Sequence, residues 1–211
     1  MNDLEKIRSD YAKKALTKKE VASEPIAQFE AWFNQVMDGQ ITEPTACTLS
    51  TASKTGKPSG RIVLLKGFDS QGFTFFMNYS SRKGSDLIEN PYASLTFFWK
   101  ELERQVRIEG IVQRTSDAEN DRYFKSRPLG SQLGAWASPQ SQAIPNREYL
   151  EKRMAEYAVQ YAENVPRPEH WGGFVLDPDH IEFWQGRSNR LHDRILYTRK
   201  GSDWIIQRLA P

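Results

Sequence analysis

The sequence is short of the residues that build disulfides and metal sites. It has a single cysteine, Cys47, so no intrachain disulfide can form and a reducing compartment is permitted. Its three histidines, His170, His180 and His192, do not follow a metal-ligand spacing, and one cysteine cannot complete a zinc set. We therefore expect no metal site.

Long apolar runs and an excess of one charge are also missing. No segment approaches the roughly 18 apolar residues of a membrane-spanning helix. The N-terminal residues mix both charge signs and lack the apolar core of a signal peptide, so we expect a cytoplasmic protein. The formal net charge is only +2. A barrel that binds single-stranded RNA would need a basic stripe, so that function has little support.

Sequence motifs of several common enzyme classes are absent as well. The dinucleotide-binding pattern G-x-G-x-x-G does not occur. Gly56 and Lys57 are followed by Pro58 rather than by the Ser or Thr of a P-loop, and no G-x-S-x-G elbow is present. The sequence therefore does not favour a dinucleotide-dependent dehydrogenase, a P-loop NTPase or a serine hydrolase.

What the sequence contains is a helix followed by many short β-rich segments. Residues 1–24 are charged and weakly periodic, which predicts a flexible N-terminal arm or an exposed helix. From Pro25 to Gly39 apolar residues recur at three- and four-residue steps, which predicts an amphipathic helix. Apolar runs between turn residues then predict strands, including a hairpin at KGSD, and helices at 117–125 and 147–163. We expect residues 25–211 to form one mainly β domain, an antiparallel barrel with peripheral helices.

Two segments in the first half of the chain combine cations with small residues. Arg61 and Lys66 bracket the strand in GRIVLLKGF, and strand alternation directs them to opposite faces, which suggests two anion sites. The alternative is a pair of strand-end charges in solvent. Residues 80–83, SSRK, begin a helix whose free N–H groups favour a phosphate, and an ordinary capped helix is the alternative.

A third segment has almost no charge but contains the chemistry of an anion cradle. Tyr123 and Arg127 are four residues apart and share a helix face. Pro128 then ends this helix, and Ser131 can cap a new one, so the three polar side chains could converge on one phosphate. The alternative for residues 126–142 is a linker, although a linker rarely contains a tryptophan.

The segment EFWQGRSNRLHDR is the densest in functional side chains. Trp184, Arg190, His192 and Arg194 mix aromatic and cationic groups, which suits a flat heteroaromatic ligand that carries negative charge. Arg190 and His192 are two residues apart and face the same side if the chain is extended. The alternative is a surface hairpin with incidental basic residues.

Together these motifs resemble the pyridoxamine (pyridoxine) 5'-phosphate oxidase family. The resemblance covers residues 8–211 and is carried, in chain order, by RIVLLK, SRKG, LERQVRIEG, YFKSRPLGSQLGAWASPQS, WGGF, IEFWQG, RLHDR and RLAP. It implies an FMN-binding split β-barrel and a homodimer with two flavins between the subunits. The implied reaction oxidises pyridoxine 5'-phosphate or pyridoxamine 5'-phosphate to pyridoxal 5'-phosphate, and dioxygen reoxidises the flavin to give hydrogen peroxide. A non-catalytic split-barrel protein that binds flavin or pyridoxal phosphate is the alternative.

The resemblance also implies roles for individual residues. Those that would bind FMN are Arg61, Ile62, Val63, Leu64, Leu65, Lys66, Phe76, Met77, Arg82, Lys83, Gln105, Gln140, Ser141, Trp184 and Arg194, of which Arg61, Arg82 and Lys83 fit its phosphate and Gln105 the polar edge of its ring. Those that would bind substrate are Arg8, Ser9, Asp10, Tyr11, Lys66, Tyr123, Arg127, Ser131, Arg190, Leu191 and His192, with Arg190 and His192 as the catalytic pair over the pyridine ring.

The sequence departs from the family pattern in two places. RSDY at residues 8–11 resembles a lid segment that touches substrate, but SD stands where members more usually have RE. Met77 stands where members commonly have Thr before Asn78. Because a methionine side chain cannot donate a hydrogen bond, any flavin contact there comes from the backbone, and we expect a modest effect on FMN affinity.

Overall fold

The computed structural model describes residues 11–162 and 164–211. Their helices and strands, in chain order, are α1 (Pro25–Asp38), β1 (Ala46–Ala52), β2 (Pro58–Leu64), β3 (Gly67–Asp69), β4 (Gly72–Asn78), α2 (Arg82–Glu89), β5 (Tyr92–Trp99), β6 (Arg104–Arg114), α3 (Asp117–Ser126), α4 (Leu129–Ala137), α5 (Arg147–Tyr161), β7 (Trp171–Gln185), β8 (Asp193–Lys200) and β9 (Asp203–Leu209). The prediction of a mainly β fold with peripheral helices is confirmed.

All strands belong to one antiparallel sheet that branches at β7. The main path runs β2-β1-β5-β6-β7-β4-β3, while β8 pairs with β7 and β9 pairs with β8. The first half of β7 pairs with β4 and the second half with β8, and β6 pairs with β7 along its length. Because one long strand serves two partners on the same edge, the sheet curls into a half-barrel with two arms.

A β-bulge lets the long β6–β7 pair bend. The register between the two strands shifts between Glu109 and Gly110. A Cβ atom on Gly110 would lie 2.1 Å from the carbonyl oxygen of Asp177, so only glycine fits this close backbone approach. The predicted KGSD turn is confirmed, since Lys200 pairs with Asp203 across the β8–β9 hairpin and Gly201 has a φ of 63°.

The barrel interior is filled mainly by aromatic side chains from α1 and the sheet. The apolar face of α1 buries Phe29, Trp32 and Val36, as its three- and four-residue spacing predicts. The Phe29 ring makes edge contacts with Phe73 and other rings of the sheet at centroid distances near 5 Å. Burying each such ring contributes about 1.5–3 kcal/mol.

Cys47 belongs to this core. Its side chain is 2% exposed, and burial raises the pKa of the thiol to about 12. The thiol therefore stays protonated near neutral pH and packs as a small apolar group rather than as a nucleophile.

Residues 11–24 are neither an α-helix nor a strand, so the helix predicted as one alternative for the N-terminal segment is not formed there. Leu16 is buried, and its backbone N–H donates to Asp193. The Tyr197 hydroxyl donates to the carbonyl of Ala22, which fixes the segment to β8. This part of the arm therefore lies along the barrel. None of the helices in the described ranges is both long and apolar enough to cross a membrane.

Candidate active site

A cavity of about 630 Å³ opens between β2, β4, the start of α2 and the α3–α4 turn. Of the residues implicated by sequence, Ile62, Val63, Leu64, Lys66, Phe76, Met77, Lys83, Tyr123, Arg127, Ser131 and Gln140 line it. These residues come from distant parts of the chain, and the curled sheet brings them to one opening. The cavity therefore joins the cationic SRKG segment to the SRPLGSQLGAW segment.

The α3–α4 turn aims three polar side chains at this cavity. Helix α3 ends at Ser126, with Arg127 as its C-terminal cap residue, and α4 begins at Leu129 after Pro128. Tyr123, Arg127 and Ser131 all line the cavity, as their spacing predicts. Ser131 is not the helix cap that the sequence suggested, because the chain turns earlier and Ser131 lies in the first turn of α4, its N–H donating to Pro128. The linker alternative for residues 126–142 is wrong, because α4 forms over half of this stretch.

The Arg127 guanidinium is held in the cavity wall without full hydrogen bonding. It lies 4.6 Å from the centre of the Trp171 ring, and its Nη1 atom is buried with no hydrogen-bond partner among the described residues. Burial lowers the pKa of Arg127, and the interaction with Tyr123 partly offsets this lowering. Burial raises the pKa of Tyr123, and the charge of Arg127 partly offsets this rise. A buried donor on a charged group is costly unless a partner arrives. A bound anion would supply this partner, so the arrangement is that of an anion-binding site.

Three stacked aromatic rings form a flat wall beside Arg127. The ring of Phe76 stacks on Tyr123 at 4.0 Å and on Trp171 at 5.5 Å between centroids. A Cβ atom on Gly173 would lie 2.8 Å from the Phe76 ring, so glycine is needed where this ring crosses β7. The wall fixes Tyr123 and Arg127 in place.

A second group of cations stands where α2 begins. The Lys83 ammonium donates to Gln140 at 2.8 Å. Burial lowers the pKa of Lys83, and the positive charge of Arg61 lowers it further. Burial also lowers the pKa of Arg61. The carboxylate of Asp86 opposes this lowering, and the positive charge of Arg82 adds to it. These cations repel one another, and a bound anion would relieve that repulsion.

Arg61 and Arg82 do not line the cavity themselves. Arg61 donates to Thr51 and Ser59 at 2.8 Å and lies 3.9 Å from the Asp86 carboxylate. Lys66 does line the cavity, but strand alternation does not set its direction, because β2 ends at Leu64. The argument that Arg61 and Lys66 point to opposite faces of one strand is therefore wrong. Helix α2 is capped by Ser81, whose hydroxyl accepts the N–H of Gly84.

Gln105, Trp184 and Arg194 lie together at the far end of β7. Gln105 on β6 lies opposite Trp184 on β7, and Trp184 lies opposite Arg194 on β8. The Arg194 guanidinium donates to both oxygens of the buried Glu182 carboxylate, and this pairing raises the pKa of Arg194. Neighbouring strands thus hold these three side chains in one row across the sheet.

Tyr11, Trp184 and His192 form a compact group that we call the His192 cluster. The imidazole of His192 lies 4.6 Å from the Trp184 ring, and Tyr11 lies 5.8 Å from Trp184 and 6.0 Å from His192. The backbone N–H of Arg187 donates to Nδ1 of His192. In the neutral imidazole the proton is therefore on Nε2, which is left as a donor.

Arg190 has an unusual backbone conformation. It has a φ of 60°, follows Asn189 with a φ of 56°, and lies in a short 3₁₀ turn over Ser188–Arg190. The chain is not extended here, so the sequence-based reason for placing Arg190 and His192 on one side is wrong. Left-handed residues other than glycine cost about 1–3 kcal/mol and cluster at functional sites. Leu191 beside it is largely exposed.

The cavity and the His192 cluster lie at opposite ends of β7. Trp171, which lines the cavity, is the first residue of this 15-residue strand, and Trp184 is near its end. A strand of this length spans on the order of 45 Å along its path. Of the described residues implicated by sequence, those that do not line the cavity are Tyr11, Gln105, Trp184, Arg190, Leu191, His192 and Arg194, and also Arg61, Leu65, Arg82 and Ser141, which are next to lining residues in the sequence. Arg8, Ser9 and Asp10 lie outside the described residues.

Sequence reasoning missed six residues that line the cavity, namely Asn78, Pro128, Gly134, Ala135, Ser138 and Trp171. Trp171 and Asn78 line it, and they face each other in the β4–β7 pair. The motif WGGF contained a signal for Trp171, since adjacent glycines in a strand indicate a close approach by another group. Asn78 gave no such signal.

Two family models match consecutive parts of this chain. A family model described as "Pyridoxamine 5'-phosphate oxidase" matches residues 33–161, and one described as "Pyridoxine 5'-phosphate oxidase C-terminal dimerisation region" matches residues 171–211. A "Pyridoxine/pyridoxamine 5'-phosphate oxidase" of Paraburkholderia phymatum is 56% identical over 212 residues, covering 100% of both chains. A protein of the same name from Burkholderia mallei is 53% identical over 214 residues, again covering 100% of both.

Solved structures give the same fold. PhzG from Burkholderia lata, in complex with tetrahydrophenazine-1-carboxylic acid, has a TM-score of 0.89 and 32% identity, covering 95% of this chain and 100% of that chain. A pyridoxamine 5'-phosphate oxidase-related, FMN binding protein from Nostoc punctiforme has a TM-score of 0.69 at 16% identity, covering 90% of this chain and 100% of that chain, which supports the fold alone. The curled, branched sheet is therefore the split β-barrel predicted from the sequence.

Proposed function

Because this chain belongs to the pyridoxamine 5'-phosphate oxidase family, we propose that it oxidises pyridoxine 5'-phosphate and pyridoxamine 5'-phosphate to pyridoxal 5'-phosphate. In this proposal FMN is the cofactor, and dioxygen is the final electron acceptor and is reduced to hydrogen peroxide. The enzyme would thus act in the biosynthesis and salvage of pyridoxal phosphate. The observation that carries the proposal is the buried Nη1 atom of Arg127, which has no hydrogen-bond partner in residues 11–162 and 164–211, in a cavity that also contains a second cationic group.

The chemistry of the cavity fits a flavin mononucleotide. When bound, FMN supplies a ring system that accepts a hydride from the substrate carbon. Lys83 would contact its phosphate, with Arg61 and Arg82 adding positive charge nearby. Ile62 is 66% exposed although it is apolar, and with Leu64 it lines the cavity where a flat ring would cover both side chains. Met77 lines the same cavity, and its modest effect on FMN affinity stays a prediction.

The α3–α4 turn would hold the phosphate of the substrate. Arg127 supplies a half-buried cation, Tyr123 and Ser131 supply hydroxyls, and Lys66 supplies a second cation at the same opening. Each hydrogen bond to a charged group contributes about 1.5–3 kcal/mol. These contacts would orient the substrate ring along the aromatic wall, so that phosphorylated substrates are selected over free vitamers.

The active site would be completed by a second copy of the chain. The region described as a dimerisation region, residues 171–211, contains Trp184, Arg190, His192 and Arg194. These residues do not reach the cavity of their own chain, so we propose a homodimer in which they face the cavity of the other protomer. Arg190 and the Nε2 donor of His192 would then lie over the pyridine ring and hold the reacting carbon in place.

A second candidate is the oxidation of a ring system that bears a carboxylate. The PhzG structure, at 32% identity, contains tetrahydrophenazine-1-carboxylic acid, and cations that bind phosphate also bind carboxylate. The identity of 56% to a named pyridoxine/pyridoxamine 5'-phosphate oxidase favours the phosphorylated substrates. The non-catalytic alternative would bind flavin or pyridoxal phosphate without turnover.

An aerobic assay of the purified, FMN-loaded protein tests the proposal. We expect a yellow protein that forms pyridoxal 5'-phosphate and hydrogen peroxide from at least one of the two phosphorylated substrates. Pyridoxine and pyridoxamine serve as controls, with kcat/KM lower by at least about 10²-fold because the phosphate contacts are lost. A protein that takes up no FMN, binds it without turnover, or oxidises only tetrahydrophenazine-1-carboxylic acid would contradict the proposal.

A further inference from the structure

We propose that Glu103 is a positioning residue that fastens the N-terminal segment beside the His192 cluster. It does so through two backbone amides of that segment and thereby sets the position of Tyr11. The inference rests on the proposed function, because it assigns a role toward the same active site. Glu103 itself touches neither the cavity nor His192.

The Glu103 carboxylate accepts hydrogen bonds directly from the N-terminal segment. Its side chain is 7% exposed, and Oε2 accepts the backbone N–H of both Ala12 and Lys13 at 3.0 Å. A buried carboxylate is costly to desolvate unless donors surround it, and these adjacent amides supply such donors. The contact spans 91 residues of sequence, so it fixes the segment to the body of the barrel.

Glu103 is itself rigidly held. It has a left-handed backbone with a φ of 55°, directly before β6, and its carbonyl accepts the N–H of Gly186 at 2.8 Å. Gln185 donates to the same carbonyl from its side chain. These bonds tie Glu103 to the end of β7, next to Trp184. The anchor of the segment and the His192 cluster therefore belong to one rigid part of the sheet.

Tyr11 directly precedes the anchored amides and is clamped from both sides. Its carbonyl accepts the Ser188 hydroxyl at 3.2 Å, and its ring packs on Trp184. A Cβ atom on Gly186 would lie 2.7 Å from Tyr11 and 3.1 Å from Glu103, so the segment lies flat against this glycine. Loss of the Glu103 carboxylate would leave Tyr11 attached by its ring and by the Ser188 hydroxyl.

Farther along, Asp193 forms a second and independent anchor. Its carboxylate accepts the N–H of Leu16 at 3.0 Å, and Leu16 itself is buried. Removing the Glu103 carboxylate should therefore free the chain before Leu16 and leave the chain after it in place. The segment contains lysines on both sides of this boundary, Lys13 and Lys14 before it and Lys18 and Lys19 after it.

Trypsin digestion of the FMN-loaded protein, followed by mass spectrometry, tests the anchor without any assay of turnover. In Glu103→Ala we expect cleavage after Lys13 and Lys14 to be at least about tenfold faster than in the wild type, since two charge-assisted hydrogen bonds are lost. Cleavage after Lys18 and Lys19 should not change. Unchanged cleavage after Lys13 and Lys14 would overturn the anchoring role.

Two control variants separate the carboxylate from its surroundings. Glu101→Ala removes a nearby exposed carboxylate, and the contact of Lys13 with Glu101 uses the backbone oxygen, which alanine retains. We expect wild-type cleavage for this variant. Glu103→Gln keeps an oxygen acceptor and should stay within about threefold of the wild type. If Glu103→Ala does not fold, Gly186→Ala displaces Tyr11 from the opposite side and should give the same cleavage pattern.

Kinetics then test the positioning role. In Glu103→Ala we expect KM for pyridoxine 5'-phosphate to rise about tenfold and FMN affinity to change less than about threefold, with Glu103→Gln restoring KM. A freed segment combined with an unchanged KM would overturn the positioning role. If the wild-type protein has no oxidase activity, the proposed function fails, whereas the trypsin result still decides whether Glu103 holds the segment.

Discussion

Replacing Arg127 with methionine is expected to lower kcat/KM for pyridoxine 5'-phosphate by about 10²–10³-fold, with FMN affinity nearly unchanged. Methionine keeps an unbranched apolar chain against the Trp171 ring but removes the charge and the donors. The loss should appear mainly in KM, because the phosphate contact is made in the ground state as well as in the transition state. Steady-state kinetics with FMN-saturated protein measure it.

The same variant should be as stable as the wild type or more so. The Nη1 atom of Arg127 is buried and finds no partner in the part of the chain that the structure describes, and burial lowers the pKa of Arg127. Removing a half-buried cation with a buried Nη1 atom relieves this cost. Arg122→Met on the exposed face of α3 is the matched control, with unchanged kinetics and stability. A variant of Arg127 that loses stability but keeps its KM would show that the residue serves the fold and not the ligand.

Replacing Arg190 or His192 with alanine is expected to lower kcat by at least about 10²-fold while FMN stays bound. The His192 imidazole is held by Arg187 so that Nε2 is free to donate, and Arg190 is held in a left-handed conformation. Both features fix a side chain for a ligand rather than for the core. The measurements are kcat under air and the dissociation constant for FMN.

His180→Ala is the matched control for the histidine variant. His180 lies on β7, the strand that also carries Trp184, is about half exposed and pairs with Asp179 near the bulge. Its removal should leave kcat and FMN binding unchanged. If His192→Ala instead lost its flavin and kept its turnover per bound flavin, the proposed catalytic role of His192 would be contradicted.

The sequence predicted best what depends on local geometry. Tyr123 and Arg127 share a helix face because four residues make about one turn, and the structure places both on the cavity. The amphipathic α1 and the KGSD hairpin follow from the same kind of local rule. Ser131 reached the cavity for a different reason than predicted, because the new helix begins two residues before it.

What the sequence could not predict depends on where strands end and on contacts between distant segments. Strand alternation fails for Lys66 because β2 stops at Leu64, and the extended-chain rule fails for Arg190 because a 3₁₀ turn precedes β8. The distance between the cavity and the His192 cluster follows from the path of β7, which no local pattern encodes. The contact of Glu103 with the N-terminal segment is equally remote in sequence.

Activity of hybrid dimers tests most directly whether the active site combines two chains. One protomer would carry Arg127→Met and the other Arg190→Ala, each with a different affinity tag, so that the mixed dimer can be isolated. If each site joins one protomer's cavity to Arg190 and His192 of the other protomer, one site contains both changes and the other contains neither. We then expect about half of the wild-type activity per dimer. Activity no higher than that of the two single-variant homodimers would contradict a site shared between chains.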